Sequence, residues 1–301
     1  MPDLIHYTKC PACYSASIYA ALSAKDYTVS QQVFEIWHCE DCTLRFTQDV
    51  PAAEAIGAYY QSADYVSHSD TQKGLINLLY HRVRKHTLNT KRQLLQEVTG
   101  RSSGALLDVG AGTGAFVNTM MDAGWKITGL EPDTTARQNA AIKYGLQLRP
   151  SDELYGLQEN QFDLITLWHV LEHVHDLHGY LEKFYALLKP GGKLVIAVPN
   201  YTSYDAKRYG GYWAAYDVPR HLYHFSPKSM RLLAESKGFR AGKLYPMWYD
   251  SYYVAMLSEK YRSGTGNLPG AVWTGFLSNI KAARDPKRCS SVIYTFSKPE
   301  A

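Results

Sequence analysis

The 301-residue sequence predicts an α/β fold, a largely parallel sheet with helices on both faces, preceded by a small cysteine-rich module. Three observations carry that expectation. From Arg101 to Asn200 short apolar runs alternate with amphipathic stretches, the pattern of strands joined by crossover helices. The first of these runs, Ala105 to Val109, opens into three alternating glycines, Gly110, Gly112 and Gly114. Near the start of the chain, four of the five cysteines form two C-x-x-C pairs.

Composition sets the outer bounds. An apolar share of 46% supports a sizeable core, and a net charge of +4 gives no ground for a nucleic-acid partner. No apolar run reaches the roughly 18 residues of a membrane span. MPDLIHYTKC carries no signal-like apolar stretch. A cytoplasmic protein with reduced thiols is the expectation, with peripheral membrane contact left open.

The pairs Cys10/Cys13 and Cys39/Cys42 stand 25 residues apart. Each turn presents two thiolates, and together they complete a tetrahedral, closed and therefore structural zinc site. Val33 to Trp37 reads as a strand leading into the second turn. Residues 1–48 are thus expected to form a zinc ribbon whose folding depends on the metal. Cys289 stands alone and reads as a buried thiol.

Residues 49–100 read as a helical connector. Pro51 to Tyr80 begins with a helical pattern and passes through Tyr59, Tyr60, Tyr65 and His68. Gly74 to Val98 is helical, with Leu75, Leu78, Leu79, Val83, Leu88, Leu94, Leu95 and Val98 on one face. Lys73, Arg82, Arg84, Lys85, Lys91 and Arg92 make it basic. They form either a solvated face or a surface for an anionic substrate, headgroup or RNA.

Residues 101–301 form the main domain. Its strands are expected at Ala105–Val109, Lys126–Leu130, Leu146–Leu148, Phe162–Leu167 and Lys193–Val198, with helices over Gly114–Ala123 and Thr134–Tyr144. Glycines after the first strand permit positive φ and close approach to a ligand, and the following helix N-terminus favours anionic groups. Glu131, ending the second strand, can accept both hydroxyls of a ribose. Gly110, Gly112 and Ala115 also fit a dinucleotide fingerprint, so this segment alone leaves two cofactors open.

Downstream segments separate them. With Asp108 as the first residue of D-x-G-x-G-x-G, followed by FDLITLWHVLEHVHD and LLKPGGKLVIAVPN, the chain from about Leu106 to Phe239 resembles class I S-adenosylmethionine-dependent methyltransferases. The likeness is strongest to the small-molecule branch that includes ubiquinone-pathway enzymes. It implies a Rossmann-like, seven-stranded sheet. Gly110, Ala111, Gly112 and Gly114 would meet the methionine part of the cofactor, and Asp108 its amino group. Glu131 would hold the ribose, Pro132 would pack beside the adenine, and Asp152 with Glu153 would cap the adenine amine. Trp168 and His169 would line the methyl-transfer centre. His169, Glu172, His173 and His175 could mimic a metal cluster, but no cysteine joins them and the resembling family uses this segment for cofactor and packing.

Residues 201–225, rich in Tyr and broken by Gly210-Gly211 and Pro219, are expected to form a loop with short helical turns over the sheet, either a substrate lid presenting Asp217, Arg220, His221 and His224 or a packed aromatic cover. Ser226-Pro227 starts a helix that stops at Gly238. Strands over Lys243–Pro246 and Ser291–Ser297 would form the sheet edge. Residues 248–284 are an insertion of two amphipathic helices that could complete the cavity, form a dimer surface or touch a membrane.

The expected activity is methyl transfer to an oxygen or nitrogen of a small, hydrophobic or aromatic metabolite. His169 and His221 are the candidate bases, Arg220 would bind a substrate anion, and Asp217 would orient a histidine. A sugar C-methyltransferase, an RNA or protein methyltransferase and a non-catalytic cofactor-binding scaffold are the alternatives. No tyrosine–histidine catalytic segment supports the first and no N-P-P-Y-like tetrapeptide the second. The cofactor motif speaks against the third.

Overall fold

A computed structural model describes residues 4–61 and 75–300, with 75–85 described by backbone alone. Tyr65, His68 and Lys73, and the side chains of Leu75, Leu78, Leu79, Arg82, Val83, Arg84 and Lys85, lie outside the described residues.

The N-terminal module contains β1 (Leu4–Ile5), β2 (Ile18–Lys25), β3 (Val33–Cys39), β4 (Arg45–Thr47) and β5 (Val50–Pro51). Strands β2, β3 and β4 form an antiparallel sheet, and β1 pairs with β5. A 3-10 turn over Ile56–Tyr60 follows, then the long helix α1 (Leu75–Thr99).

The central sheet holds β6 (Ala105–Val109), β7 (Lys126–Leu130), β8 (Phe162–Trp168), β9 (Leu188–Pro199), β11 (Arg240–Pro246) and β12 (Ser291–Ser297), in the order β11-β12-β9-β8-β6-β7. Strands β7, β6, β8 and β9 run parallel, while β12 lies antiparallel to both β9 and β11. The expected Rossmann-like fold is therefore present, with one correction. The run at Leu146–Leu148 is no strand; the seventh place in the sheet shrinks to a single parallel bridge between Leu130 and Arg149. Pro150 follows at once and, lacking an N–H, cannot extend the ladder. Strand β6 pairs with β7 on one side and β8 on the other, so chain order reverses there and a crevice opens at the carboxyl ends.

Helices α2 (Ala115–Asp122), α3 (Thr134–Tyr144) and α4 (Leu177–Leu187) make the crossovers. Asp133 caps α3 and Gly145 ends it in the left-handed region. Buried Leu95, Leu106, Phe116, Met120 and Leu164 fill one face of the sheet. The larger core on the other face is continuous with Cys10, Cys39, Cys42, Leu44 and Phe46 of the N-terminal module.

The segment expected as a loop is instead built into the interior. It contains α5 (Tyr204–Tyr209), two 3-10 turns and β10 (Tyr223–His224), and Tyr209, Trp213, Tyr216, Val218 and Leu222 are all buried. Strand β10 pairs with β4, making it the fourth strand of the N-terminal sheet. Aromatic density explains the difference: so much apolar surface is stable only when it is covered. Helix α6 (Pro227–Glu235) then begins with a capping box between Ser226 and Ser229. The insertion forms the antiparallel pair α7 (Asp250–Ser263) and α8 (Leu268–Arg284), with Ala214 N–H donating to Ser258 Oγ and Ser278 Oγ to Asp205. No described helix is long and apolar enough to cross a membrane.

Arg220 joins these parts. Its guanidinium, 1% exposed, donates to Asp217 at 2.7 and 3.0 Å, to Asp26 of the N-terminal module at 3.0 Å, and to the Tyr59 carbonyl at 2.9 Å. Burial alone would raise the Asp26 carboxyl, but Ser30 and the Arg220 cation hold it well below the usual range. Replacing Asp26 by Ala strands part of that buried charge. Chemical denaturation of Asp26→Ala should show a loss of about 2 kcal/mol or more, and an unchanged midpoint would remove Arg220 from this role.

Candidate active site

The turn after β6 makes the cradle. Gly110, Gly112 and Gly114 have φ of 75°, 53° and 80°, a region that side chains enter only at a cost. A Cβ on Gly110 would strike Val170 and one on Gly114 would strike Leu146, so these two glycines serve packing. A Cβ on Gly112 meets nothing within 4 Å: this backbone borders open space. Glu131 is 8% exposed at the end of β7 and accepts from Gly112 N–H at 2.7 Å and Asp133 N–H at 3.0 Å. Each carboxylate oxygen is thereby aimed, with a lone pair left for a hydroxyl. Burial raises its pKa. Ala111 N–H is tied to the Leu130 carbonyl, fixing the loop to β7. Pro132, Asp152 and Glu153 are exposed beyond the end of β7, the acids in a 3-10 turn over Ser151–Gly156.

Asp108 lies deeper. It is 1% exposed, accepts from Thr166 Oγ1 at 2.6 Å, and burial raises its pKa to about 7. Lys91 of α1 reaches the same place, with Nζ 4.0 Å from the centre of the Trp168 ring and Phe116 edge-on to that ring. Burial lowers its pKa to about 8, against the pull of Asp250 and Asp108. The basic stripe expected on this helix thus turns one member inward as a cation–π partner. Sequence reasoning missed it because six basic residues in one helix carry no mark of which one faces the sheet.

Beyond β8 the chain forms a polar cluster. His169 takes φ 58°, and its ring sits between two carboxylates, Nδ1 at 3.2 Å from Glu172 and Nε2 at 2.9 Å from Asp250. Burial alone would lower its pKa, but Asp250 and Glu172 raise it to about 10. Both ring nitrogens of His169 thus face carboxylates, an arrangement that favours the imidazolium and disfavours the expected role as base. Asp250 comes from the first turn of α7, so the insertion supplies a residue to this site.

His221 remains. Its Nδ1 lies 2.9 Å from the Ala215 carbonyl and its ring packs edge-on to His173 at 4.6 Å. His173 Nδ1 is 3.1 Å from the Arg220 carbonyl and 3.0 Å from Tyr60 Oη, and burial with His221 beside it lowers its pKa to about 4. Glu172 is fully buried, and its second oxygen has no hydrogen-bond partner among the described residues. Glu172, His173 and His221 bring ligand atoms within 4.8 Å of one another, close enough to surround a cation. Val170 packs against Gly110, so this cluster borders the cradle.

Two further expectations are corrected. Arg220 has its donors engaged inside the protein and no face for a substrate anion. Asp217 serves Arg220, and its nearest oxygen is 3.9 Å from His221 Nε2, too far to orient that ring. His224 is buried against Thr47 and Tyr216, and burial holds its pKa well below the usual value.

In the N-terminal module, Cys10 Sγ lies 3.5 Å from Cys42 Sγ and Cys13 Sγ 3.5 Å from Cys39 Sγ, with all four sulfurs within 4.8 Å. A tetrahedral ion with bonds of about 2.3 Å sets sulfurs about 3.8 Å apart, so the thiols fit one. Tyr14 and Thr43, each just after the second cysteine of a pair, take φ of 62° and 61°, and their N–H groups return to Cys10 and Cys39 carbonyls. The two turns are built alike.

A glycine turn at the switch point, a buried carboxylate at the end of β7 and a mixed sheet ending in an antiparallel edge together fit an S-adenosylmethionine-dependent methyltransferase domain. The chain belongs to the methyltransferase domain family, which matches residues 80–243. It is similar to the ubiquinone biosynthesis O-methyltransferase of Bordetella avium (strain 197N), 32% identical over 124 residues, 38% of this chain and about half (52%) of the relative. The corresponding enzyme of Xanthomonas axonopodis pv. citri (strain 306) is 27% identical over 194 residues, 58% of this chain and 80% of the relative. Among solved structures, Haemonchus contortus phosphoethanolamine N-methyltransferase 2 in complex with S-adenosyl-L-methionine shares the fold. Its TM-score is 0.52 at 16% identity, over 85% of this chain and 63% of that one.

The His169 ion pairs make stability depend on pH. A folded-state pKa of about 10 lies above the ordinary value near 6.5, so the stabilisation is complete below about pH 6.5 and lost as pH rises through about 10. In thermal melts His169→Gln should lie below the parent at pH 6.5, and the gap should narrow by pH 10.5. A gap that stays constant would deny the charged state.

Proposed function

We propose that the protein transfers the methyl group of S-adenosylmethionine to an oxygen of a small, largely apolar or aromatic metabolite. One observation carries this reading: a buried histidine pair, His173 and His221, stands with Glu172 against the cofactor cradle. Oxygen is favoured over nitrogen by the relatives, whose named activity is O-methylation in ubiquinone biosynthesis.

Methyl transfer from a sulfonium is an in-line displacement in which the cofactor supplies the leaving group, and the protein aligns the nucleophile and excludes water. Gly112 and its neighbours would leave room for the methionine moiety, Asp108 would take its amino group, and Glu131 would hold the ribose. Pro132, Asp152 and Glu153 would flank the adenine, and Trp168 would wall the transfer centre. His221, its Nδ1 directed at the Ala215 carbonyl, presents Nε2 as the proton acceptor for a substrate hydroxyl. His173, kept neutral by burial, receives that proton poorly and serves to place the His221 ring. His169 and Glu172 act together as a fixed ion pair beside the reacting oxygen.

The four cysteines hold a structural zinc ion in this reading, since a site closed by four thiolates leaves no position for substrate. Cys39→Ser should bind less than one zinc per chain by metal analysis and melt below the parent protein; full stoichiometry would discard the zinc assignment.

The activity itself is tested with labelled cofactor and a catechol or polyprenyl-phenol acceptor. His221→Ala should lower kcat about 100-fold while S-adenosylhomocysteine binding is retained. Glu131→Ala should instead weaken S-adenosylhomocysteine about tenfold or more, as loss of charge-assisted hydrogen bonds requires. Turnover of His221→Ala within about threefold of the parent would rule out this base.

A further inference from the structure

A second cleft, of about 720 Å³, lies between α6 and the β11–β12 edge and shares no residue with the cradle or the histidine cluster. Its rim carries Lys207 at the end of α5, Lys228 and Arg231 from the first turns of α6, and Lys287 and Arg288 just before β12. No acidic residue lines it. Arg231 lies 3.8 Å from Glu235, and among the described residues the other four have no carboxylate within salt-bridge distance. The whole chain has a net charge of +4, so these five cations account for more than its entire excess.

Such a concentration of like charge is unfavourable unless something offsets it. The N-terminus of α6 adds its positive end to the same rim. The wall beneath is different in character. Pro227, Ala241 and Leu244, all at least partly exposed, give it apolar surface between the cations.

Cationic rim, apolar wall and volume each restrict the occupant. Volumes of about 300–1,000 Å³ suit small organic ligands. A polynucleotide would call for a basic stripe running along the surface rather than a ring of cations around a cleft. We infer that this cleft binds a small organic phosphate of nucleotide size, its phosphates on the lysine–arginine rim and its ring against the apolar wall at Pro227, Ala241 and Leu244. The site stands independently of the methyl-transfer reading.

Calorimetric titration of the full zinc-loaded chain, with the cofactor site saturated by S-adenosylhomocysteine, tests this with uridine diphosphate, pyrophosphate and uridine as probes. Uridine diphosphate should bind more tightly than pyrophosphate, and uridine should not bind. The double variant Lys287→Ala/Arg288→Ala should weaken uridine diphosphate about tenfold or more and leave S-adenosylhomocysteine affinity unchanged, which also reports that the variant is folded. No heat with uridine diphosphate would overturn the inference, as would equal affinity in the double variant. Pyrophosphate binding as tightly as uridine diphosphate would overturn the role of the apolar wall.

Discussion

A single buried guanidinium constrains most of this architecture. Arg220 cannot be dehydrated without partners, and those partners come from three separated parts of the chain: Asp26 between β2 and β3, the Tyr59 carbonyl, and Asp217. Satisfying it fixes the N-terminal module, the start of the connector and the 201–225 segment against one another. His221 follows Arg220 directly, and the Arg220 carbonyl faces His173. The same tie that joins the modules therefore also sets the two histidines of the candidate site. The N-terminal module is in this sense part of the active-site scaffold: it supplies Asp26, and β4 is the strand on which β10 is laid.

Charge is arranged in the site with the same economy. Asp108, Lys91, Asp250, His169 and Glu172 form an alternating series of acid and base at the carboxyl ends of β6 and β8. Burial penalises every one of these charges, and each is held only by its neighbours. Lys91 over Trp168 puts a cation on that aromatic face, with Asp108 and Asp250 as its compensating acids.

Much of the fold was legible in the sequence because its signals are local. The strand–glycine–helix passage at Leu106–Phe116, the acid at Glu131, the C-x-x-C spacing, the Ser226 cap and the Ser291–Ser297 strand each depend on neighbours a few residues away, and each stands where it was expected. The third strand, Leu146–Leu148, failed because apolar character alone does not supply a ladder when Pro150 removes a donor next to its only bridge. The tyrosine-rich segment was read as a loop because Gly210, Gly211 and Pro219 interrupt its periodicity. Its strand β10 is two residues long and exists through pairing with β4, far away in sequence.

The sequence by itself determined the α/β class, the family, the glycine turn after β6 and the four-thiol cluster, since glycine φ freedom, apolar period and ligand spacing are properties of short stretches. Only the tertiary structure decided the states and partners of the ionisable groups. Whether His169 is a base or a fixed cation depends on Asp250, eighty-one positions later. Whether Arg220 meets a substrate or the protein depends on Asp26, almost two hundred positions earlier. Desolvation and Coulomb coupling act through space, and no local pattern in a chain records which distant charges folding will bring within 3 Å.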